Sequence, residues 1–245
     1  MNDSKTILIT GGARRIGKTI AANLHQRGHN IMIHYRSSAP EAQQLKRELN
    51  DIRANSCDIV QCDLSDINSF EHINEAVIST FGKLDVLINN ASAFYPTPLA
   101  SVDEAQWDDL MASNLKAPLF LANKLLPQLK KHNGCIINII DIYAERPLAD
   151  HAIYCAAKAG LQMLTKSLAR DLAPEIRVNG IAPGAILWPE NDAGIDSQET
   201  LLTRIPLNRL GDPQDIAKTA TFLIEDAPYI TGQIIAVDGG RSVMA

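Results

Sequence analysis

Short apolar runs alternate along this chain with longer segments in which apolar residues recur at the spacing of an α-helix. Most of the apolar runs are rich in isoleucine and valine and lack polar alternation, which is typical of strands covered by helices on both faces. Seven runs have this character, at residues 6–10, 30–35, 59–62, 84–89, 135–140, 177–182 and 233–237. The alternation predicts an α/β fold, with a doubly wound Rossmann-type parallel sheet of about seven strands.

The domain organisation follows from the chain length and from the one place where this alternation stops. A chain of 245 residues can bury about 70% of its unfolded surface around one core. No repeat or low-complexity tract divides it, so we expect a single domain over residues 1–245. Residues 186–200 contain Pro189, Gly194 and several acids, which predicts an inserted loop or flap beside the substrate.

The charge balance and the apolar pattern exclude two classes of partner. The chain has 23 lysines and arginines and 28 acids, a net charge of −5, which gives no chain-wide attraction to DNA or RNA. No apolar run approaches the ~20 residues of a membrane span, and the N-terminus lacks the pattern of a signal peptide. We therefore expect a cytoplasmic protein with neither a nucleic-acid nor a membrane partner.

The cysteines indicate neither a metal site nor a disulfide framework. Cys57, Cys62, Cys135 and Cys155 form no C-x-x-C pair, and no histidine stands beside them at the spacing of metal ligands. We predict buried, reduced thiols and no bound metal.

A glycine-rich turn directly after the first apolar run indicates dinucleotide binding. Residues 10–17 read TGGARRIG and open into a segment of helical pattern. Such a turn brings backbone N–H groups and the positive end of a helix close to a pyrophosphate. The residues expected to contact the cofactor here are Gly11, Arg15, Ile16 and Gly17. A tight turn between strand and helix that binds no ligand is the alternative.

The residues that end the second strand distinguish between the two nicotinamide cofactors. NAD-binding sites usually place an acid there, which bonds the ribose 2′-OH and would repel a 2′-phosphate. This chain instead has His34, Tyr35, Arg36, Ser37 and Ser38. A guanidinium beside two hydroxyls can hold a 2′-phosphate through charge-assisted hydrogen bonds. The pattern favours NADPH, with a solvated surface charge as the alternative role of Arg36.

Polar residues also follow the third and fourth runs, at the strand ends where ligands of open α/β sheets bind. Asp63 can accept from an adenine amino group, or it can form a turn or helix cap. Asn89 and Asn90 are poor strand formers, which favours a hydrogen-bonding role for them. The expected cofactor contacts therefore extend to Asp63, Leu64, Asn90, Ala91 and Ser92.

Tyr154 and Lys158 are four residues apart in a segment of helical pattern, so they share one face of a helix. An unperturbed phenol has a pKa of about 10, and a neighbouring cation favours its ionised form. Lys158 is therefore expected to lower the pKa of Tyr154, which then serves as a proton donor. The lysine donors can also hold a nicotinamide ribose. A chance pair on an exposed helix is the alternative.

These motifs occur in one order along the chain, together with Asn114 and the pair Pro183 and Gly184. In this the chain resembles the short-chain dehydrogenase/reductase family, from the first strand to the VDGG segment at residues 237–240. The resemblance implies a homotetramer and a catalytic tetrad of Asn, Ser, Tyr and Lys.

The family resemblance also implies roles for individual residues. Asn114 would hold a water in a proton relay, Tyr154 would be the acid, and Lys158 would orient the ribose. Further cofactor contacts would come from Pro183, Gly184 and Ile186.

Three departures from the family pattern narrow the range of expected substrates. Thirteen residues before Tyr154, where the family usually has Ser, this chain has Asp141. Arg15 replaces the middle glycine of the turn, and residues 92–99, SAFYPTPL, replace a glycine after Asn-Asn-Ala. Together these features resemble the pteridine reductase branch. An ionised Asp141 would raise the pKa of Tyr154 and oppose Lys158, whereas a protonated one is a proton reservoir for a basic ring nitrogen.

The branch resemblance implies a site for a flat heterocycle. Phe94 would stack on one face of a pterin, with core packing as the alternative for this residue. Arg15 and Ser92 would contact the pterin or a cofactor phosphate, and Asp141 with Tyr154 would supply the proton. Trp188 either lines the pocket or anchors its loop.

Three functions are compatible with these residues. The leading hypothesis is NADPH-dependent reduction of a dihydropteridine, of the dihydrobiopterin, dihydromonapterin or dihydrofolate class, to the tetrahydropteridine. The alternative is a carbonyl reductase of the same family that acts on oxoacyl, sugar or steroid substrates. A non-catalytic regulator that senses NADP is a third hypothesis, against which the presence of both Tyr154 and Lys158 argues.

Overall fold

Seven strands form one sheet in the order β3-β2-β1-β4-β5-β6-β7. The computed structural model describes residues 4–187 and 198–244. The strands are β1 (Thr6–Ile9), β2 (Asn30–Tyr35), β3 (Cys57–Gln61), β4 (Val86–Asn89), β5 (Cys135–Ile139), β6 (Arg177–Pro183) and β7 (Ile234–Val237). Each neighbouring pair runs parallel. The predicted doubly wound α/β sheet is confirmed.

Helices connect the strands and cover both faces of the sheet. They are α1 (Arg15–Gln26), α2 (Ala39–Ile52), α3 (Phe70–Phe81), α4 (Glu104–Met111), α5 (Ala117–Lys131), α6 (Ala152–Asp171), α7 (Gln198–Thr203) and α8 (Pro213–Glu225). One π-helical turn, Ala112–Lys116, joins α4 to α5. No helix in residues 4–187 or 198–244 is both long and apolar enough to cross a membrane.

Successive residues of each central strand are buried in two different cores. Ile7 and Ile9 of β1 pack with residues of α1, α2 and α8 on one face. Leu8 packs with residues of α3 and α5 on the other. Burying a side chain of this size stabilises the fold by about 1.5–3 kcal/mol. The runs therefore lack polar alternation because neither face of the sheet meets water.

The third strand is the one whose predicted position differs most from the structure. The apolar run predicted residues 59–62, whereas β3 covers Cys57–Gln61. Asp58 interrupts the apolar pattern, and its carboxylate pairs with Lys46 of α2. Because β3 is an edge strand, the Asp58 side chain is only half-buried and needs no hydrogen-bond donor from the core.

The strand order places a crevice at the carboxyl end of β1. This strand pairs with β2 on one side and with β4 on the other. From β2 the chain continues outward to β3, and from β4 it continues outward to β5 at the opposite side of the sheet. Ligands of open α/β sheets bind at such a switch point. The predicted flap at 186–200 falls largely outside the described residues, as does Trp188.

Candidate active site

A cleft of about 810 Å³ runs along the carboxyl ends of the strands. Every cofactor or substrate contact predicted from the sequence lines it, apart from Trp188, which lies outside the described residues. These residues are Gly11, Arg15, Ile16, Gly17, His34, Tyr35, Arg36, Ser37, Ser38, Asp63, Leu64, Asn90, Ala91, Ser92, Phe94, Asp141, Tyr154, Lys158, Pro183, Gly184 and Ile186. Asn114, predicted to be catalytic, does not line the cleft. Within the described residues no cluster of three metal-binding side chains is found.

Two positions of the glycine-rich turn require glycine, one because of its backbone conformation and one because of tight packing inside the turn. Gly11 has φ +60°, a conformation that L side chains rarely adopt. A Cβ at Gly17 would lie 2.4 Å from the carbonyl oxygen of Gly11 and 2.7 Å from Nδ2 of Asn90. The Asn90 amide fixes the turn by donating to the carbonyls of Thr10 and Gly11 at 2.9 and 3.0 Å.

Arg15 has a left-handed backbone conformation, with φ +51°, at the position where the family's turn has glycine. This conformation costs about 1–2 kcal/mol in a residue with a Cβ. The strain coincides with a guanidinium placed in the cleft wall at the start of α1. A strained residue in the wall of a cleft is a candidate for a functional role of its side chain.

His34 lies in the cleft wall but serves the protein backbone. Its Nδ1 accepts from the N–H of Gly11 at 3.2 Å, and its Nε2 donates to the carbonyl of Cys62 at 3.0 Å. Burial lowers the pKa of this imidazole to about 4, so the ring is neutral at pH 7. Because both ring nitrogens bond to the backbone, His34 positions the glycine turn. No ring nitrogen is left for a hydrogen bond in the predicted contact with the cofactor.

The far end of the cleft carries two exposed guanidinium groups. Arg36 follows β2, and Arg14, which the sequence analysis did not select, precedes α1. Arg14 forms a long ion pair of 3.7 Å with Glu41, a contact that a phosphate can readily replace. Asp63 accepts from the N–H of Ser65 at 2.9 Å, which lowers the pKa of its carboxyl. This aspartate therefore forms a turn and also lines the cleft.

At the other end of the cleft, the hydroxyl of Tyr154 donates to Oδ2 of Asp141 at 2.7 Å. Tyr154 lies in the first turn of α6, and Asp141 follows β5. The second carboxylate oxygen accepts from the N–H of Tyr143 at 2.9 Å, which fixes the orientation of the carboxyl group. The two residues that the sequence analysis paired as a proton source are thus in direct contact.

Burial shapes the acidity of this pair. Loss of solvent raises the pKa of the Asp141 carboxyl above its usual range. Burial, and then the charge of Asp141, raise the pKa of Tyr154 well above its usual value. Both shifts favour protonated groups, so the pair retains a proton where an exposed carboxyl would be ionised.

Lys158 lies one helical turn after Tyr154, as predicted, but its electrostatic effect differs from the expectation. Burial lowers the pKa of its ammonium to about 8. Its Nζ donates to the carbonyl of Ile139 at 3.0 Å and lies 5.7 Å from the centre of the Tyr154 ring. The predicted lowering of the phenol pKa by Lys158 is not observed, because burial and Asp141 shift it in the opposite direction.

Asn114 occupies the π-helical turn, and its side-chain amide bonds to the loop at Ser92 and Ala93 and to α4. Its Oδ1 accepts from the Ser92 hydroxyl at 2.6 Å, and its Nδ2 donates to the carbonyls of Ala93 and Leu110, each at 2.9 Å. The side chain is buried and holds no position in the cleft. The side chain of Asn114 therefore positions Ser92, and the water relay through Asn114 stays a prediction.

Phe94 is a wall of the cleft, so the core-packing alternative for it is wrong. Its ring is 44% exposed. One face stacks on His151, with ring centres 4.8 Å apart and planes at 18°, and Tyr154 meets it edge-on at 4.8 Å. His151 was not predicted as a site residue, although its position three residues before Tyr154 places both on one face at the start of α6.

Comparisons with known proteins identify the relatives of the chain. A family model described as "Enoyl-(Acyl carrier protein) reductase" matches residues 11–242. A 3-oxoacyl-acyl-carrier-protein reductase of Staphylococcus aureus (strain N315) is 40% identical over 246 residues, covering 98% of this chain and 99% of the relative. Pteridine reductase 1 of Leishmania tarentolae is 36% identical over 277 residues, covering 96% of each chain.

The relatives agree with the predicted family but not specifically with the predicted branch. A second oxoacyl reductase, from Staphylococcus epidermidis (strain ATCC 12228 / FDA PCI 1200), is 38% identical over 241 residues and covers 97% of this chain and 98% of the relative. Identity alone is thus higher to oxoacyl reductases than to the pteridine reductase. The pteridine branch stays a prediction that depends on the residues of the site.

Proposed function

Because the chain belongs to the short-chain dehydrogenase/reductase family of oxidoreductases, we propose that it reduces dihydropteridines to tetrahydropteridines with NADPH. The hydrogen bond between Tyr154 and Asp141 carries this proposal. A phenol that is hydrogen-bonded to a carboxyl group of raised pKa can supply a proton to a basic ring nitrogen. A plain carbonyl substrate makes no use of the second acid.

The residues of the cleft fit a nicotinamide dinucleotide that carries a 2′-phosphate. The missing Cβ of Gly17 lets α1 pack closely on the turn and on Asn90, and the start of α1 offers backbone N–H groups to a pyrophosphate. Arg14 and Arg36 provide cations near the end of β2, where an NAD site has an acid. NADPH bound in this way supplies a hydride at the reacting end of the cleft.

The chain's own groups perform the proton half of the reaction. Addition of hydride to the carbon of a ring C=N bond leaves the electron pair on the nitrogen, which takes a proton from Tyr154. Asp141 returns a proton to Tyr154 across their 2.7 Å hydrogen bond and is reprotonated from water. The buried ammonium of Lys158 lies on the same helix face and offers donors to a ribose.

The aromatic wall of the site supports a flat substrate. Phe94 rests on His151, and the rest of its 44% exposed ring borders the cleft. Aromatic rings prefer offset-stacked partners at centroid separations of about 4.5–7 Å. A bicyclic heterocycle between Phe94 and a nicotinamide satisfies that preference, and an aliphatic acyl chain does not.

A reductase of 3-oxoacyl thioesters is the second candidate. Its support is the higher identity to relatives that carry that name, 40% against 36% for the pteridine reductase. On this alternative, Asp141 is a tolerated replacement of the family serine.

Hydride tracing distinguishes the two candidates. The purified protein is incubated with NADPH deuterated at C4 of the nicotinamide, in separate reactions with dihydrobiopterin, dihydromonapterin, dihydrofolate and an acetoacetyl thioester. Mass spectrometry of a tetrahydropteridine product that carries one deuterium is the expected result. Labelled hydroxyacyl thioester with no labelled pteridine would replace the proposal by the second candidate.

A further inference from the structure

The turn that follows β7 places a further cationic group, Arg241, in the cleft. Asp238 fixes this turn, because its two carboxylate oxygens accept from the N–H groups of Gly240 and Ser242 at 2.9 and 2.6 Å. The backbone of Arg241 is held by a further bond from its N–H to the carbonyl of Asp238 at 3.2 Å. The turn is therefore a rigid support for the Arg241 side chain.

The guanidinium of Arg241 points to the reacting end of the cleft. It lies over the ring of Tyr143, 5.4 Å from the ring centre, and both residues line the cleft. Tyr143 also donates its N–H to Asp141, so the guanidinium is beside the proposed proton source. Its charge opposes the rise in pKa of the Asp141 carboxyl, which agrees with this proximity.

The guanidinium of Arg241 borders the cleft and is accessible to an anionic ligand. Arg241 is half-buried, and among the residues that the structure describes no carboxylate lies within ion-pair distance of it. Arg14, Arg27, Lys46 and Lys124, by contrast, each pair with an acid. A guanidinium held on an aromatic ring with its fork free suits a planar anion.

We propose that Arg241 forms a subsite for a carboxylate on the substrate side chain, so that the preferred substrates are dihydropteridines with an acidic tail. This inference rests on the proposed function. A guanidinium binds a carboxylate through two parallel charge-assisted hydrogen bonds, and partial burial reduces screening by salt. Dihydrofolate carries such a tail, whereas the side chain of dihydrobiopterin is uncharged.

The test compares the two substrates in matched variants. Arg241→Gln is expected to lower the ratio of kcat/KM for dihydrofolate to that for dihydrobiopterin by about tenfold or more, as loss of a charge-assisted pair predicts. Arg241→Lys keeps the positive charge and should lower this ratio less than Arg241→Gln does. Arg47→Gln removes the same charge from the exposed face of α2 and should leave the ratio unchanged. An equal loss with both substrates, or no change of the ratio, would overturn the inference.

A binding measurement separates this inference from the proposed function. Calorimetry with folate and with biopterin as probes, on the wild type and Arg241→Gln, does not depend on turnover. If the variant binds folate more weakly and biopterin equally well, the subsite is supported, even where no pteridine is reduced. Failure to reduce any pteridine removes the proposed function only. Normal reduction of both pteridines with unchanged folate affinity in the variant removes the subsite only. Thermal melting of each variant verifies that it is folded.

Discussion

The hydroxyl of Tyr154 donates to Oδ2 of Asp141 at 2.7 Å, with the tyrosine buried and the carboxyl half-buried in the wall of the cleft. The loss of solvent penalises the ionised carboxylate, and the phenol donates to whatever negative charge remains. This arrangement raises the pKa of both groups and so favours their protonated forms, the state needed by a donor to a basic nitrogen. The same relationship has consequences for stability.

The raised pKa of Asp141 makes its contribution to stability decrease as pH rises. The folded protein holds this proton above pH 3.8, where the unfolded chain begins to release it, so the stabilisation is lost as pH rises through the folded pKa. Asp141→Asn removes the titrating group. The melting temperature of the wild type relative to that of the variant should therefore fall as pH rises above 3.8.

Asp63→Asn provides the opposite control for this melting experiment. The pKa of the Asp63 carboxyl is lowered by its bonds to Ser65, so its stabilisation is present above the unfolded pKa and lost as pH falls. The melting temperature of the wild type relative to that of Asp63→Asn should therefore rise with pH. Parallel behaviour of the two variants would contradict the assigned directions.

Reversal of charge at Arg36 should change the choice of cofactor. Arg36→Asp places a carboxylate where the 2′-phosphate is proposed to bind, and loss of a charge-assisted bond costs about 1.5–3 kcal/mol. The ratio of kcat/KM for NADPH to that for NADH should fall at least about tenfold. Arg47→Gln serves as the remote control, and an unchanged ratio in Arg36→Asp would make Arg36 a surface charge only.

The glycine at position 17 should be essential for cofactor binding. In Gly17→Ala the new Cβ meets the backbone oxygen of Gly11 at 2.4 Å, so the turn must open. Titration with NADPH, monitored by fluorescence, should show at least about tenfold weaker binding. Gly160→Ala is the matched control, since its Cβ meets only the end of the flexible Leu115 side chain at 2.8 Å. Equal affinities for both variants would remove the turn from the cofactor site.

The stack of Phe94 on His151 should contribute to substrate affinity. Phe94→Leu keeps an apolar wall but loses the aromatic face, and aromatic pairs contribute about 0.5–1.5 kcal/mol beyond their buried area. The KM for dihydrobiopterin should rise by about two- to tenfold, with little change in the KM for NADPH. His151→Phe retains a ring beneath Phe94 and should have a smaller effect. A larger effect on the KM for NADPH would place Phe94 in the cofactor site instead.

The sequence predicted the strands and the cleft residues well because these depend on local patterns. Apolar runs define strands such as β2, which begins and ends where the pattern predicted. Residues at the carboxyl ends of parallel strands converge by topology, so motif order was sufficient to place them in one cleft.

The errors and omissions arise from contacts that no local pattern encodes. The π-helical turn directs the amide of Asn114 to Ser92, a contact that the sequence did not indicate. Arg241 was missed because only the packing of the turn after β7 brings it to Tyr143. The direction of the Tyr154 shift depends on burial, which spacing does not reveal. The homotetramer and the cytoplasmic location stay predictions.

The central claim, that Asp141 adapts this site to a ring nitrogen, is tested most directly by Asp141→Ser, assayed with dihydrobiopterin and with an acetoacetyl thioester. Loss of the second acid should reduce kcat/KM for dihydrobiopterin by at least about tenfold, or about 1.4 kcal/mol in the barrier. Activity toward the thioester should be unchanged or higher. Unimpaired pteridine reduction by Asp141→Ser, or a wild-type preference for the thioester, would contradict the account.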